Sequence, residues 1–274
     1  VLSVAQVLAQ SGAIDASQAT YEQVLSEYGD LSDTAFEAQM GLAQVERNQG
    51  NLTAAMARYR DLEAQDVGSE VWRLEQLAQV YWELDQPDAA KKTYEEIQDR
   101  YPDHPAALAA SKNGLANIAR ANGELELARG LFTQVAGLAS DVSQRDWAKL
   151  NAASILSEQG RYDDAFFALR EVVAGTSDPE VTLQAKMGMA AVYQEKGNFE
   201  KSLELLSDAQ TDGLGPAWAA SVVQAQVASD LGLGRVGDAR DRWRALLKGY
   251  GTHGEARAQA TLGLADIALQ QGEH

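Results

Sequence analysis

One residue returns along this chain at a nearly constant interval. Gly12, Gly50, Gly123, Gly160, Gly197, Gly234 and Gly272 each end a long amphipathic run and precede a short gap, an apolar residue and then a small one; the last of them stops short of this second part. Asp85 fills the single gap in the series, so that the intervals run 38, 35, 38, 37, 37, 37 and 38. Self-similarity on this scale specifies a stack of one supersecondary unit, because no single copy can bury its apolar face alone. That constraint comes before any local motif.

Fixed columns flank the repeated turn. Seven residues before it stand Ala5, Ala43, Ala78, Ala116, Ala153, Ala190, Val227 and Ala265, and five after it stand Ser17, Ala55, Ala90, Ala128, Ala165, Ser202 and Ala239. Small residues at two fixed points let two antiparallel helices approach closely. Nine after the turn come the large knobs Tyr21, Tyr59, Tyr94, Phe132, Leu169, Leu206 and Trp243, and three further on come Val24, Leu62, Ile97, Val135, Val172, Ala209 and Leu246. The glycine suits the left-handed residue that ends a helix, where a β-carbon would clash. Both segments of each unit show helical spacing, and no alternating β-rich run interrupts them. Helix starts are signalled by Thr34 with Glu37, a capping-box pattern, and by Asp178-Pro179, an N-cap before a first-turn proline. The expected fold is all-α.

These columns resemble the tetratricopeptide repeat. Leu74, Leu77, Ala78, Tyr81, Ala90, Tyr94, Ile97 and Pro102 fall on that family's signature positions, and the resemblance covers essentially the whole chain. It implies a right-handed superhelical solenoid of antiparallel helix pairs, about seven and a half repeats in a single domain spanning 1–274. Two features depart from the family pattern: the period is mostly 37 or 38 instead of 34, and the terminal proline survives only at Pro102, with Gly29 and Gly251 in the matching places. Long links after "YP" or "YG" resemble the repeats of bacterial cell-envelope assembly proteins, such as those of the Bam and Tol–Pal systems, which implies the periplasm. The array starts part-way through a repeat and stops at Gly272 without a second helix. It therefore reads as a fragment of a longer protein whose incomplete terminal repeats would fray or self-associate.

Composition narrows the function classes. The net charge of −17 argues against nucleic acid, since a phosphate backbone requires a basic stripe. It argues equally against anionic membrane surfaces, and no apolar run approaches the roughly 20 residues of a membrane span. The absence of Cys excludes disulfides, thiolate catalysis and cysteine-held metals. Gly232–Gly237, "GLGRVG", satisfies the dinucleotide pattern G-x-G-x-x-G, but that fingerprint needs a preceding strand and here a helix precedes it. Acidic pairs such as Glu95-Glu96 and Asp163-Asp164 fall on outward positions of second helices. No catalytic, metal or cofactor residues are assigned.

Two of the three histidines stand in matching stretches, "YPDHPAALAA" from Tyr101 and "YGTHGEARAQ" from Tyr250. Their separation of 149 residues is four repeat periods. Each is expected as an exposed residue near a helix start, and stacked pairs advancing roughly 10 Å each keep the two from sharing a metal ion.

By the family resemblance, the first helix of each pair lines a concave binding face, at positions thirteen, ten, six and three residues before the turn. Among these positions, Trp72, Gln79, Trp82, Asn113, Asn117, Trp147, Leu150 and Met187 are the expected partner-binding residues. Amides can hydrogen-bond a peptide backbone, and Trp and Met can bury a partner's side chains. The alternative is that the three Trp pack against neighbouring first helices. Some family members clamp a C-terminal carboxylate with two Asn and three basic residues. Asn117 and Asn151 match that pair, but Asn113, Gln184 and Gly188 replace the cations, so a carboxylate clamp is not expected. The expected function is a non-enzymatic scaffold that docks a protein or peptide segment in this groove. The rivals are a ligand- or peptide-sensing regulatory domain and the helical platform of a larger enzyme.

Overall fold

The computed structural model describes residues 1–207, 209, 211 and 213–272. Among them the chain forms fifteen α-helices and no strand, gathered into two compact units, Val1–Ser140 and Asp141–His274. The first unit holds α1 (Leu2–Gln10), α2 (Ile14–Tyr28), α3 (Ser32–Asn48), α4 (Leu52–Asp61), α5 (Val67–Glu83), α6 (Pro87–Arg100), α7 (Pro105–Ala121) and α8 (Leu125–Leu138). The second holds α9 (Val142–Glu158), α10 (Tyr162–Gly175), α11 (Pro179–Glu195), α12 (Phe199–Ser207), α13 (Pro216–Gly232), α14 (Val236–Tyr250) and α15 (Gly254–Gln270). Odd-numbered helices are the first members of pairs and even-numbered ones the second. Within each unit every helix packs on the next across a short link, which makes them antiparallel.

The turn inside each pair follows from backbone sterics. All seven column glycines adopt positive φ, between 70° and 81°, and Asp85 does the same at 57° as the one non-glycine with positive φ among the described residues. The small columns on either side are closed: Ala5, Ala43, Ala78, Ala116 and Ala190 are fully buried, as are Ser17, Ala55, Ala90, Ala128, Ala165, Ser202 and Ala239. Where Ser replaces Ala, its hydroxyl is satisfied internally. Ser17 Oγ donates to the Ala5 carbonyl at 2.7 Å, across the same close approach. Ala265 is exposed, since no described helix follows to cover it. The knobs fill the space between pairs, with Tyr59, Phe132 and Leu169 fully buried and Trp243 4% exposed.

Helix starts use several devices. Asp66, Asp141 and Asp178 accept hydrogen bonds from backbone N–H groups of the first turns of α5, α9 and α11, at 2.7 to 3.2 Å. Pro87, Pro105, Pro179 and Pro216 occupy the opening turns of α6, α7, α11 and α13, where no N–H partner is lost. The Thr34–Glu37 capping box does not form: α3 begins two residues earlier at Ser32, capped by Leu31 without a side-chain bond. His104 and His253 are the N-caps of α7 and α15, both exposed. His104 Nδ1 accepts from the Ala107 N–H at 3.2 Å, whereas His253 makes no cap bond and its ring lies 6.2 Å from that of Tyr250. The "GLGRVG" stretch is the end of α13, a one-residue left-handed turn at Gly234 and the start of α14. Its context is helix–turn–helix, so the dinucleotide fingerprint lacks its strand. Among the described residues no helix is long and apolar enough to cross a membrane.

A candidate peptide-binding groove on the first helices

In the first unit the first helices α3, α5 and α7 present their inward positions to one pocket of about 370 Å³. Its lining includes Arg47 from α3, Glu75, Gln79, Trp82 and Glu83 from α5, and Asn113 and Asn117 from α7. The Tyr94 ring of α6 forms part of the wall, beside Gly114. Gln79, Trp82, Asn113 and Asn117, expected as partner-binding residues, are thus brought together in one place. Helical periodicity explains the gathering: positions ten and six before the turn lie one turn apart on one stripe, and each pair supplies that stripe in register.

The charges inside the pocket are unequal. Arg47 grips Glu83 through Nε to both carboxylate oxygens at 3.0 Å and Nη2 to one at 2.6 Å. Its Nη1 donates to Gln79 at 2.8 Å and to Gln76 at 3.1 Å, leaving the guanidinium engaged on both branches. The hydrogen bond to Glu83, with that carboxylate's charge, raises the Arg47 pKa further despite partial burial. Glu75 makes no hydrogen bond or ion pair with another described residue, and desolvation raises its pKa from 4.5 to about 7. The Tyr94 hydroxyl is pushed up to about 12 by burial and by the neighbouring Glu75 charge, so it stays protonated.

Trp82 is 41% exposed and Trp72 44%. They do not share a pocket. Trp72 lines a second one, of about 470 Å³, with Gln6, Glu37, Met40 and Gln44, and its ring meets Phe36 edge-on at 6.1 Å. It is therefore half packing residue and half free surface.

The second unit treats its expected residues differently. Trp147 is half-buried and packs against the cluster of Leu150, Ala153, Leu169, Val172, Val181, Ala185 and Met189. Leu150 is 2% exposed and belongs to that core, which leaves its side chain no surface to offer a partner in this structure; this differs from its expected place on the binding face. The reason lies in the neighbouring layers and not in the column: Leu169, Val172 and Val181 close over Leu150, whereas Leu262, also ten before its turn, is 65% exposed. Met40 at the same position is 1% exposed. Met187 is half-buried at the middle of α11.

Sequence reasoning placed Glu75 on the inward stripe but not its lack of a partner, nor the pairing of Arg47 in the same pocket with Glu83 of another repeat. It also passed over a column nine residues before the turn. Gly41, Gly114 and Gly263 stand there, and a β-carbon on each would lie 2.2 to 2.3 Å from the ring of Tyr21, Tyr94 or Trp243 respectively. The recurrence of glycine opposite an aromatic knob was the available signal.

A search of curated protein sequences found no match. Among solved structures, similarity extends to a tetratricopeptide repeat protein from Parabacteroides merdae, with a TM-score of 0.60 at 14% identity, covering 96% of this chain and 97% of that one. A signal transduction ATPase with numerous domains from Pyrococcus horikoshii, bearing a tetratricopeptide repeat sensor, aligns with a TM-score of 0.67 at 15% identity over 93% of this chain and 41% of its own. A Rap protein complexed with competence and sporulation factor aligns with a TM-score of 0.54 at 15% identity, over 99% and 97% of the two chains. A family model of the tetratricopeptide repeat matches residues 4–69, 75–143 and 229–274. With the repeated left-handed turn, the paired small columns and this match over most of its length, the chain belongs to the tetratricopeptide repeat family.

Proposed function

We propose that this chain is a non-enzymatic interaction module that docks an extended or helical segment of a partner protein along its first-helix face. The observation that carries this reading is the pocket formed by six inward positions from three successive pairs: Arg47, Glu75, Gln79, Trp82, Asn113 and Asn117. It combines amides able to hydrogen-bond a backbone with an indole exposed over nearly half its surface. The outward acidic pairs Glu95-Glu96 and Asp163-Asp164 are exposed on second helices, where they solvate the far surface.

A photo-crosslinking residue at position 117 tests the reading, with the same group at position 95 as control. Partner peptides identified by mass spectrometry should come from position 117 and be lost in Trp82→Ala. Crosslinks arising chiefly from position 95 would move the binding face to the second helices.

A second reading, a sensor domain whose groove takes a small effector, is favoured by the likeness to the ATPase's repeat sensor and to the Rap protein bound to its factor. It predicts a crosslinked species of low mass at position 117 instead of a protein segment.

A further inference from the structure

We infer that the pocket between α3, α5 and α7 receives a basic side chain, a guanidinium or ammonium, of the docked segment, and that Glu75 is the residue that reads its charge. This rests on the groove reading above and specifies the partner's chemistry.

The inference follows from which charges are already compensated. Arg47 and Glu83 neutralise one another through a two-pronged contact, and Gln79 and Gln76 occupy the remaining arm of the guanidinium. Glu75 is left as a single acid with no partner among the described residues. The other groups facing the pocket do not supply one. Tyr94 of α6 stays protonated, α7 contributes the neutral Asn113 and Asn117, and α4 contributes no titratable group to the lining. Among the described lining residues the one cation is Arg47, already held by Glu83, so an anionic occupant would face Glu75 without a cation left to pair with. A basic one completes the set.

The surrounding groups suit a guanidinium in particular. It offers five N–H donors in a fixed fork, and the Glu75 carboxylate with the Asn113 and Asn117 carbonyls can accept them. The exposed Trp82 indole supplies a face on which a planar cation stacks. The volume sits at the lower end of the roughly 300–1,000 Å³ spanned by ligand sites, the scale of one or two side chains. Because burial raises the Glu75 pKa to about 7, admitting a cation below that pH releases a proton, whereas above it the carboxylate is already charged.

Blocked hexapeptide pools, each fixed at one position as arginine, lysine, citrulline or glutamate and mixed elsewhere, provide the probe. Citrulline keeps arginine's shape without its charge. The full chain should bind arginine pools about tenfold more tightly than citrulline pools at pH 8, and the preference should shrink toward unity at pH 5.5. Glu75→Gln, whose fold is checked by circular dichroism, should bind both alike at either pH. Equal binding of arginine and citrulline pools by the wild-type chain overturns this assignment and leaves the groove reading intact. Binding of no pool overturns both. A preference for arginine that survives Glu75→Gln overturns the role of Glu75.

Discussion

The Tyr94 ring lies against the backbone of Gly114, so close that a β-carbon on Gly114 would stand 2.2 Å from the ring's Cζ. One helix of the groove can approach the preceding knob only because it lacks a side chain there. Gly114→Ala should therefore lower stability by roughly 1–3 kcal/mol, the usual cost of overpacking, although alanine is the better helix former. In a Tyr94→Leu background the added penalty should shrink, since Leu169 facing Gly188 has a smaller side chain and a wider clearance of 2.9 Å. Denaturant melts of the four-variant cycle check this. Additive effects would mean that the ring moves aside freely.

Asp85 occupies the turn that glycine fills in every other copy, at a φ of 57° that an L side chain adopts at a cost. Asp85→Gly should raise stability by about 1 kcal/mol, and Asp85→Ala should not. Urea midpoints for the two variants separate backbone relief from loss of the carboxylate.

The isolated carboxyl of Glu75 has a stability consequence of unusual sign. Its folded pKa of about 7 lies above the ordinary 4.5, so between those values the folded chain holds a proton that the unfolded chain has released. Its contribution is fully present at low pH and is lost as pH rises through this window, a loss of roughly 3–4 kcal/mol for about 2.5 units at about 1.4 kcal/mol per unit. Glu75→Gln should accordingly be more stable than wild type at pH 8 and indistinguishable from it near pH 4.5. Glu70 works in the opposite sense: bonds from Arg73 and the charges of Arg73 and Arg100 hold its carboxyl below the ordinary value, stability that is lost on acidification. Thermal melts at the two pH values, on wild type and Glu75→Gln, measure the difference.

The tryptophans should separate by surroundings. Trp82→Ala should cost under about 1 kcal/mol of stability, because a half-exposed ring on the groove leaves no cavity behind. Trp243→Ala, in the core at 4% exposure, should cost roughly 3–5 kcal/mol. Trp72→Ala and Trp147→Ala should fall between, one losing its edge contact with Phe36 and the other its packing on the Leu150 cluster. Melting temperatures of the four variants decide the order.

Much of the architecture was legible in the sequence because repetition writes the same local chemistry many times. A glycine that must be left-handed, two small residues that must be close and one large residue that must be buried recur in register. Eight copies of the turn leave little freedom in assigning helices or their faces. The inward stripe was legible for the same reason, and it holds Gln79, Trp82, Asn113 and Asn117 together. Tertiary structure alone decided what each inward residue does. Leu150 turns into the core while Trp82 stays exposed, although both come from inward columns. Arg47 reaches Glu83 and Phe36 meets Trp72 across 36 residues each, while Glu75, lining the same pocket as Arg47, has no hydrogen bond or ion pair with a described residue. Periodicity specifies the direction in which a side chain leaves its helix. Its burial, its charge state and its partner are set by the neighbouring pair, which differs from one copy of the repeat to the next.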